Sequence, residues 1–285
     1  MRLMPRQRLS MFRKALLVLA MVGLCFPGEA LGWGNNAQRL IVNHAVDTLP
    51  YELRPFFESN RSFLIQHVND PLTVLDKHPN ERQNHFIELD KYGKFPFDAL
   101  PRSYKAALSK YSKSKIAATG LLPWQIGVYS AKLTDDMKNG RWDEARLDAA
   151  FLANYVAEAH DPFNTTENYD GRMTGQNGVN ERFNTMLIDR YGSFFPLSPH
   201  DAFFITDPTD YAFDMCLNAH SHVESLLLAD RSAKRGLSSY TDEYYDRFYN
   251  LAAASLIKQL SDASTDIGSY WLTAWMNAGK PQLPH

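Results

Sequence analysis

The chain has 285 residues, 30 Lys+Arg against 32 Asp+Glu, and a formal net charge of −2. That length supports one sizeable core, and the charge balance excludes a protein held to DNA or anionic lipid by bulk charge alone. With 45% hydrophobic residues and no low-complexity tract, it reads as a globular chain rather than a disordered one.

Arg2, Arg6, Arg8, Arg13 and Lys14 open the chain, and Ala15 to Phe26 come next as an apolar run too short to cross a bilayer comfortably. Ala30-Leu31-Gly32 places small residues where a signal peptidase reads. The pattern predicts a cleavable export signal over residues 1–32 and a single mature domain over 33–285, exported to the periplasm or secreted. Leu24 stands before Cys25 where a lipobox needs a small residue, which argues against lipidation. Cleavage shifts the formal net charge to −6 and leaves Cys216 as the only cysteine, so no intramolecular disulfide can form. No membrane span is expected to remain, and a monomer is expected.

Helical periodicity dominates the mature chain. Ala37, Leu40, Ile41, Ala45 and Val46 share one face of a first helix that Pro50 ends. A second helical stretch is predicted over Tyr51–Val68. Asp70 to Phe97, rich in Pro, Asn and Gly, reads as a long ordered loop of the kind that usually carries function. Helices are predicted near Pro101, over Leu122–Asn139 and over Trp142–Asp161, with a loop after them over Pro162–Gly178. Further helices are predicted over Val179–Tyr191, Tyr211–Ala233 and Tyr240–Met276. The fold class is therefore all-α, with long loops around a central site.

From Ala149 to Ala159 the Trp142–Asp161 segment is apolar all round, the mark of a core helix. It nevertheless carries Asn154 and Glu158 four residues apart, on one face. Burying an amide and a carboxylate is costly unless each finds a partner, so polar groups must lie opposite. The next helix repeats the spacing with Asn180 and Asn184, the intervening loop offers Asn164, the first helix Gln38, and the early loop Asp70 and His85.

Taken in order, these motifs resemble the superfamily of zinc-dependent phospholipase C and the single-strand-specific zinc nucleases. Trp33-Gly34, Gln38-Arg-Leu-Ile-Val-Asn-His-Ala-Val-Asp47, Asn69-Asp70-Pro71, Asn84-His85-Phe86, Asn154-Tyr-Val-Ala-Glu158-Ala-His-Asp-Pro162-Phe-Asn164 and Gly178-Val-Asn180-Glu-Arg-Phe-Asn184 carry the resemblance. It covers residues 33 to about 191. It implies an all-α, multi-helix phospholipase C and nuclease-type fold. The implied ancestral activity is phosphoester hydrolysis, on phospholipid or single-stranded nucleic acid, at a trinuclear zinc cluster. It also implies that Trp33, Asp70, His85 and Glu158 stand at metal-ligand positions, with Asp70, His85 and Glu158 closest to any chemistry.

The departures are systematic. The resemblance implies His at the positions of Gln38, Asn154, Asn164 and Asn180, Asp at Glu158, and an acid at Asn184. Side-chain amides are poor zinc ligands, so a trinuclear zinc cluster is not expected. Three readings stay open. The amides cross-link into a metal-free polar network, and the protein is a pseudoenzyme with a binding or structural role. Alternatively, an oxygen-rich remnant binds a single divalent cation, Ca or Mg before Zn, and still hydrolyses phosphoesters. Or His85 with Asp70, or His160 near Glu158, supplies acid–base catalysis without a cluster. His160 is read as a backbone-bonded loop residue, His220 and His222 as packing residues. Lys105, Lys110, Lys113 and Lys115 are read as a solvated face.

Overall fold

The computed structural model describes residues 32–74 and 77–284, in which every regular element is helical. The export signal lies outside the described residues, except for Gly32. The longer helices are α1 (Asn35–Asp47), α2 (Leu122–Lys138), α3 (Trp142–Ala159), α4 (179–191), α5 (Pro208–His220), α6 (Val223–Lys234) and α7 (Asp242–Asn277).

Each begins where local chemistry allows. Pro123 occupies the first turn of α2, where its missing N–H costs nothing, and Asp143 with Glu144 complements the dipole at the start of α3. Asp207 caps α5 by accepting from the backbone N–H groups of Thr209 and Asp210, ahead of Pro208. α1 buries Ala37, Ile41, Ala45 and Val46 as the periodicity requires.

The 36 residues of α7 make a rod about 54 Å long. It buries Tyr244, Phe248, Leu256, Leu260, Ile267 and Trp271 against α1, α2, α3 and α6. α2 and α3 form the closest antiparallel pair, and α3 is enclosed on nearly every side from Ala149 to Ala159. Trp271 stacks on Phe57 at 4.5 Å and donates its indole N–H to the Ala149 carbonyl at 3.0 Å.

Several predicted helices are broken. The Tyr51–Val68 stretch is two short helices, Arg54–Ser59 and Arg61–His67, and the predicted Tyr211–Ala233 helix is interrupted at Ser221–His222 between α5 and α6. The Asp70–Phe97 loop contains short helical turns over Asp70–Thr73, Pro79–His85 and Leu89–Tyr92. Helices near Pro101 run over Tyr104–Lys110 and Lys113–Ala118.

An extended strap over residues 195–206 is fastened along α7. The backbone N–H groups of Ser198, His200, Phe203 and Ile205 donate to the hydroxyls of Ser261, Thr265, Ser269 and Thr273, at 2.8–3.2 Å. These hydroxyls recur every four residues, so they form one stripe on the helix. A strand-like segment thereby satisfies its donors without a sheet.

Candidate functional site

Trp33 leads into α1 and is 1% exposed. Its indole N–H donates to the Ala157 carbonyl at 2.8 Å, its ring lies 5.9 Å from Phe183, and the Gly34 N–H donates to the Asn184 carbonyl at 3.2 Å. The entry to α1 is thus tied to both α3 and α4 before any side chain of α1 takes part.

Glu158, on the inward face of α3, is fully buried. Gln38 from α1 donates its Nε2 to Glu158 Oε1 at 2.9 Å, and Asn164 Nδ2 donates to Glu158 Oε2 in a short contact. Burial, and then the like charge of Asp161, push the Glu158 carboxyl well above its ordinary range, against the opposing pull of Asn164, Gln38 and the nearby Trp33 backbone.

A second cluster adjoins the first. Asn184 Nδ2 donates to Asp161 Oδ2 at 2.7 Å and to Asn180 Oδ1 at 2.9 Å. Asp161 also accepts the Phe163 N–H at 2.9 Å, and burial holds its carboxyl up at about 7. α4 opens into a single π turn over Arg182–Met186 where these side chains point inward. On its other side, Arg182 meets Asp230 of α6 at 2.9 Å, and Asp230 accepts from Gln176 Nε2 at 2.6 Å and from the Tyr244 hydroxyl.

The structure brings together Trp33, Gln38, Glu158 and Asn164 in one network, and Asn180 with Asn184 in its neighbour. Asn154 and His85 are also fully buried, but neither amide atom of Asn154 and neither ring nitrogen of His85 has a hydrogen-bond partner. His85 Nε2 lies 3.4 Å from Glu81 Oε1, which instead accepts the Tyr155 hydroxyl at 2.5 Å. Asp70 turns to His67, at 2.7 Å, with 39% of its side chain exposed, and so engages a surface partner instead of the central carboxylate.

Asp161 joins the site without having been singled out in the sequence, and His160 lies outside it. Asp161 carries a usable signal, since Asp-Pro-Phe is a turn-capping pattern directly after a buried helix. His160 differs from its expected backbone role. Its Nε2 lies 2.9 Å from Asp266 Oδ2 of α7, and Tyr211 donates its hydroxyl to Asp266 Oδ1 at 2.9 Å. These three border a cavity of about 330 Å³ that also meets His200, Phe203 and Asp214. His160 is therefore separated by its partners from the Glu158 network.

A zinc cluster needs imidazole, thiolate and carboxylate donors converging on open positions. Here Gln38, Asn164 and Asn184, three of the amides at the implied ligand positions, donate N–H groups to carboxylates, the opposite polarity to metal ligation. Among the described residues no three His, Cys, Asp or Glu side chains come close enough to hold a metal ion. The residues present do not fit the trinuclear group.

Comparison with known proteins places the fold. No family model matches the chain, and no curated protein matches it. Among solved structures, it is similar to the alpha-toxin of Clostridium perfringens from avian strain SWCP, with a TM-score of 0.52 and 18% identity over 86% of this chain. It is also similar to the alpha-toxin of Clostridium absonum, with a TM-score of 0.51 and 14% identity over 90% of this chain. The chain spans 64% of the first toxin's length and 67% of the second's. The protein thus has the all-α alpha-toxin fold, as its resemblance to the phospholipase C superfamily implies. Among the described residues no helix is long and apolar enough to cross a membrane, and Cys216 is buried and unpaired.

Proposed function

We propose that this is an exported protein of the phospholipase C fold that has lost metal-dependent phosphoester hydrolysis. In this reading the former metal pocket is a cross-linked amide–carboxylate network with a structural role, and the protein acts by binding. The observation that carries the reading is the pairing of Glu158 with Gln38 and Asn164. A carboxylate whose two oxygens already accept amide N–H groups is not poised to hold a cation, and the amides opposite it cannot activate water as a metal does. The ligand class implied by the resemblance is a phosphoester, on phospholipid or single-stranded nucleic acid.

The test is hydrolysis of bis-p-nitrophenyl phosphate, phosphatidylcholine vesicles and single-stranded DNA by processed protein, with and without added zinc. No turnover above buffer in either condition is expected. Zinc-dependent turnover lost on chelation would refute the reading.

One observation favours a hard cation as the second reading. Gln38 Oε1, Asn69 Oδ1, Asn154 Oδ1 and Asn184 Oδ1 are buried acceptors without a donor, and oxygen donors suit calcium or magnesium. Under this reading excess calcium or magnesium raises the unfolding midpoint. An unchanged midpoint leaves those oxygens to buried water.

A further inference from the structure

We infer that the cavity bordered by His160, Tyr211 and Asp266 is a binding site for a small primary ammonium ion. It is formed by α5, α7, the strap and the residue that ends α3. The inference does not depend on what the Glu158 network holds.

Its floor is a buried carboxylate without a fixed counter-ion. Asp266 is 5% exposed, and its two oxygens meet His160 Nε2 and the Tyr211 hydroxyl, each at 2.9 Å. Neither partner is a permanent cation, and a carboxylate has room for about four hydrogen bonds. Among the described residues that border the cavity there is no lysine or arginine. The cost of taking Asp266 out of water is therefore not offset by a guanidinium or ammonium at the site.

His160 adds a second unsatisfied group. It is 3% exposed and forms part of the wall, yet its Nδ1 has no hydrogen-bond partner. With Nε2 turned to a carboxylate, the neutral ring presents Nδ1 as an acceptor. Asp266 and His160 thus both call for N–H donors, and Asp266 calls for positive charge as well.

The walls suit an organic cation. Phe203 and Tyr211 meet edge to face at 5.8 Å, and Met215 is buried beside the cavity. An aromatic face attracts an ammonium within about 6 Å of its centre, and Met215 offers an adaptable surface to a short carbon chain. At the mouth Asp214 and Asp262 add negative charge, moderated by Arg102 at 2.7 Å from Asp214 and by Lys258 beside Asp262. A metal ion is the poorer fit. Among the described residues no three His, Cys, Asp or Glu side chains come close enough to hold one. The volume of about 330 Å³ stands at the small end of ligand sites, so the occupant is a compact amine.

The experiment titrates the processed protein at pH 7 with n-butylammonium, tetramethylammonium and n-butanol. Binding is read by calorimetry and by the ring protons of Phe203 and Tyr211. n-Butylammonium is expected to saturate one site at about 1 mM or tighter and to move those ring resonances. Butanol lacks the charge and tetramethylammonium lacks the N–H groups, so each is expected to bind roughly tenfold more weakly or worse. Asp266→Asn is expected to weaken n-butylammonium binding by roughly tenfold or more. Asp242→Asn, an exposed change at the start of α7, is expected to leave it unchanged. A titration that never saturates, equal binding of either control, or full affinity in Asp266→Asn overturns the inference. Should Asp266→Asn fail to fold, Phe203→Ala decides, because Phe203 is 42% exposed and its loss spares the core. That variant is expected to bind about threefold more weakly, and an unchanged affinity overturns the inference.

Discussion

Asn184 and Asn154 are both buried amides at implied ligand positions, yet they differ in what they hold. Asn184 bridges Asp161 and Asn180, so Asn184→Leu strands a buried carboxyl and is predicted to cost about 2 kcal/mol or more. Asn154 has no hydrogen-bond partner, so Asn154→Leu removes two orphaned atoms and is predicted to be close to neutral or stabilising. Chemical denaturation of both variants checks the contrast, and equal losses would mean that the two amides belong to one network.

At the scale of elements, the α2–α3 pair carries its own buried charge. Asp148 of α3 meets Lys132 of α2 at 2.7 Å, and burial raises its carboxyl to about 6, helped by the neighbouring Asp136 carboxylate. A carboxyl in the unfolded chain titrates near 3.9, so between about pH 4 and 6 the native state keeps a proton that the unfolded state gives up. The stabilisation is therefore complete below that window and is lost as pH rises through it. Asp161, raised to about 7, extends the same trend. The unfolding midpoint is predicted to fall from pH 5 to 7.5, and Asp148→Asn to flatten the lower part of that slope. A midpoint that rises across this range in both proteins would contradict the assignment.

The strap along α7 makes a different prediction. Removing a hydroxyl by Thr273→Val or Ser269→Ala is expected to cost about 1 kcal/mol each and to speed hydrogen exchange at Ile205 or Phe203. Unchanged exchange at those amides would show that packing alone holds the strap.

Across the whole molecule, the legible part of the sequence was whatever repeats at helical spacing. Ile41 with Ala45, and Asn154 with Glu158, announce a buried helix face because spacing along one helix is fixed by its geometry. The π turn escaped, since widening by one residue leaves no mark in the order of Asn180 and Asn184. The same limit hid His160, whose partner Asp266 lies 106 residues away on another helix. Asp70 pairs with His67 only three residues back, a contact that depends on how the intervening turn closes. The break at Ser221–His222 likewise reflects tertiary packing rather than a proline or glycine.

Gln38 and Asn164 hold Glu158, and Asn184 holds Asp161, where the resemblance implies metal ligands. Metal content by plasma mass spectrometry, on processed protein whose first residue is confirmed as Trp33, tests that arrangement most directly. The account predicts less than one tenth of a zinc, calcium or magnesium ion per chain, on the order of contamination. Stoichiometric zinc that survives dialysis would contradict it, and would mean that the amides yield their hydrogen bonds to a metal.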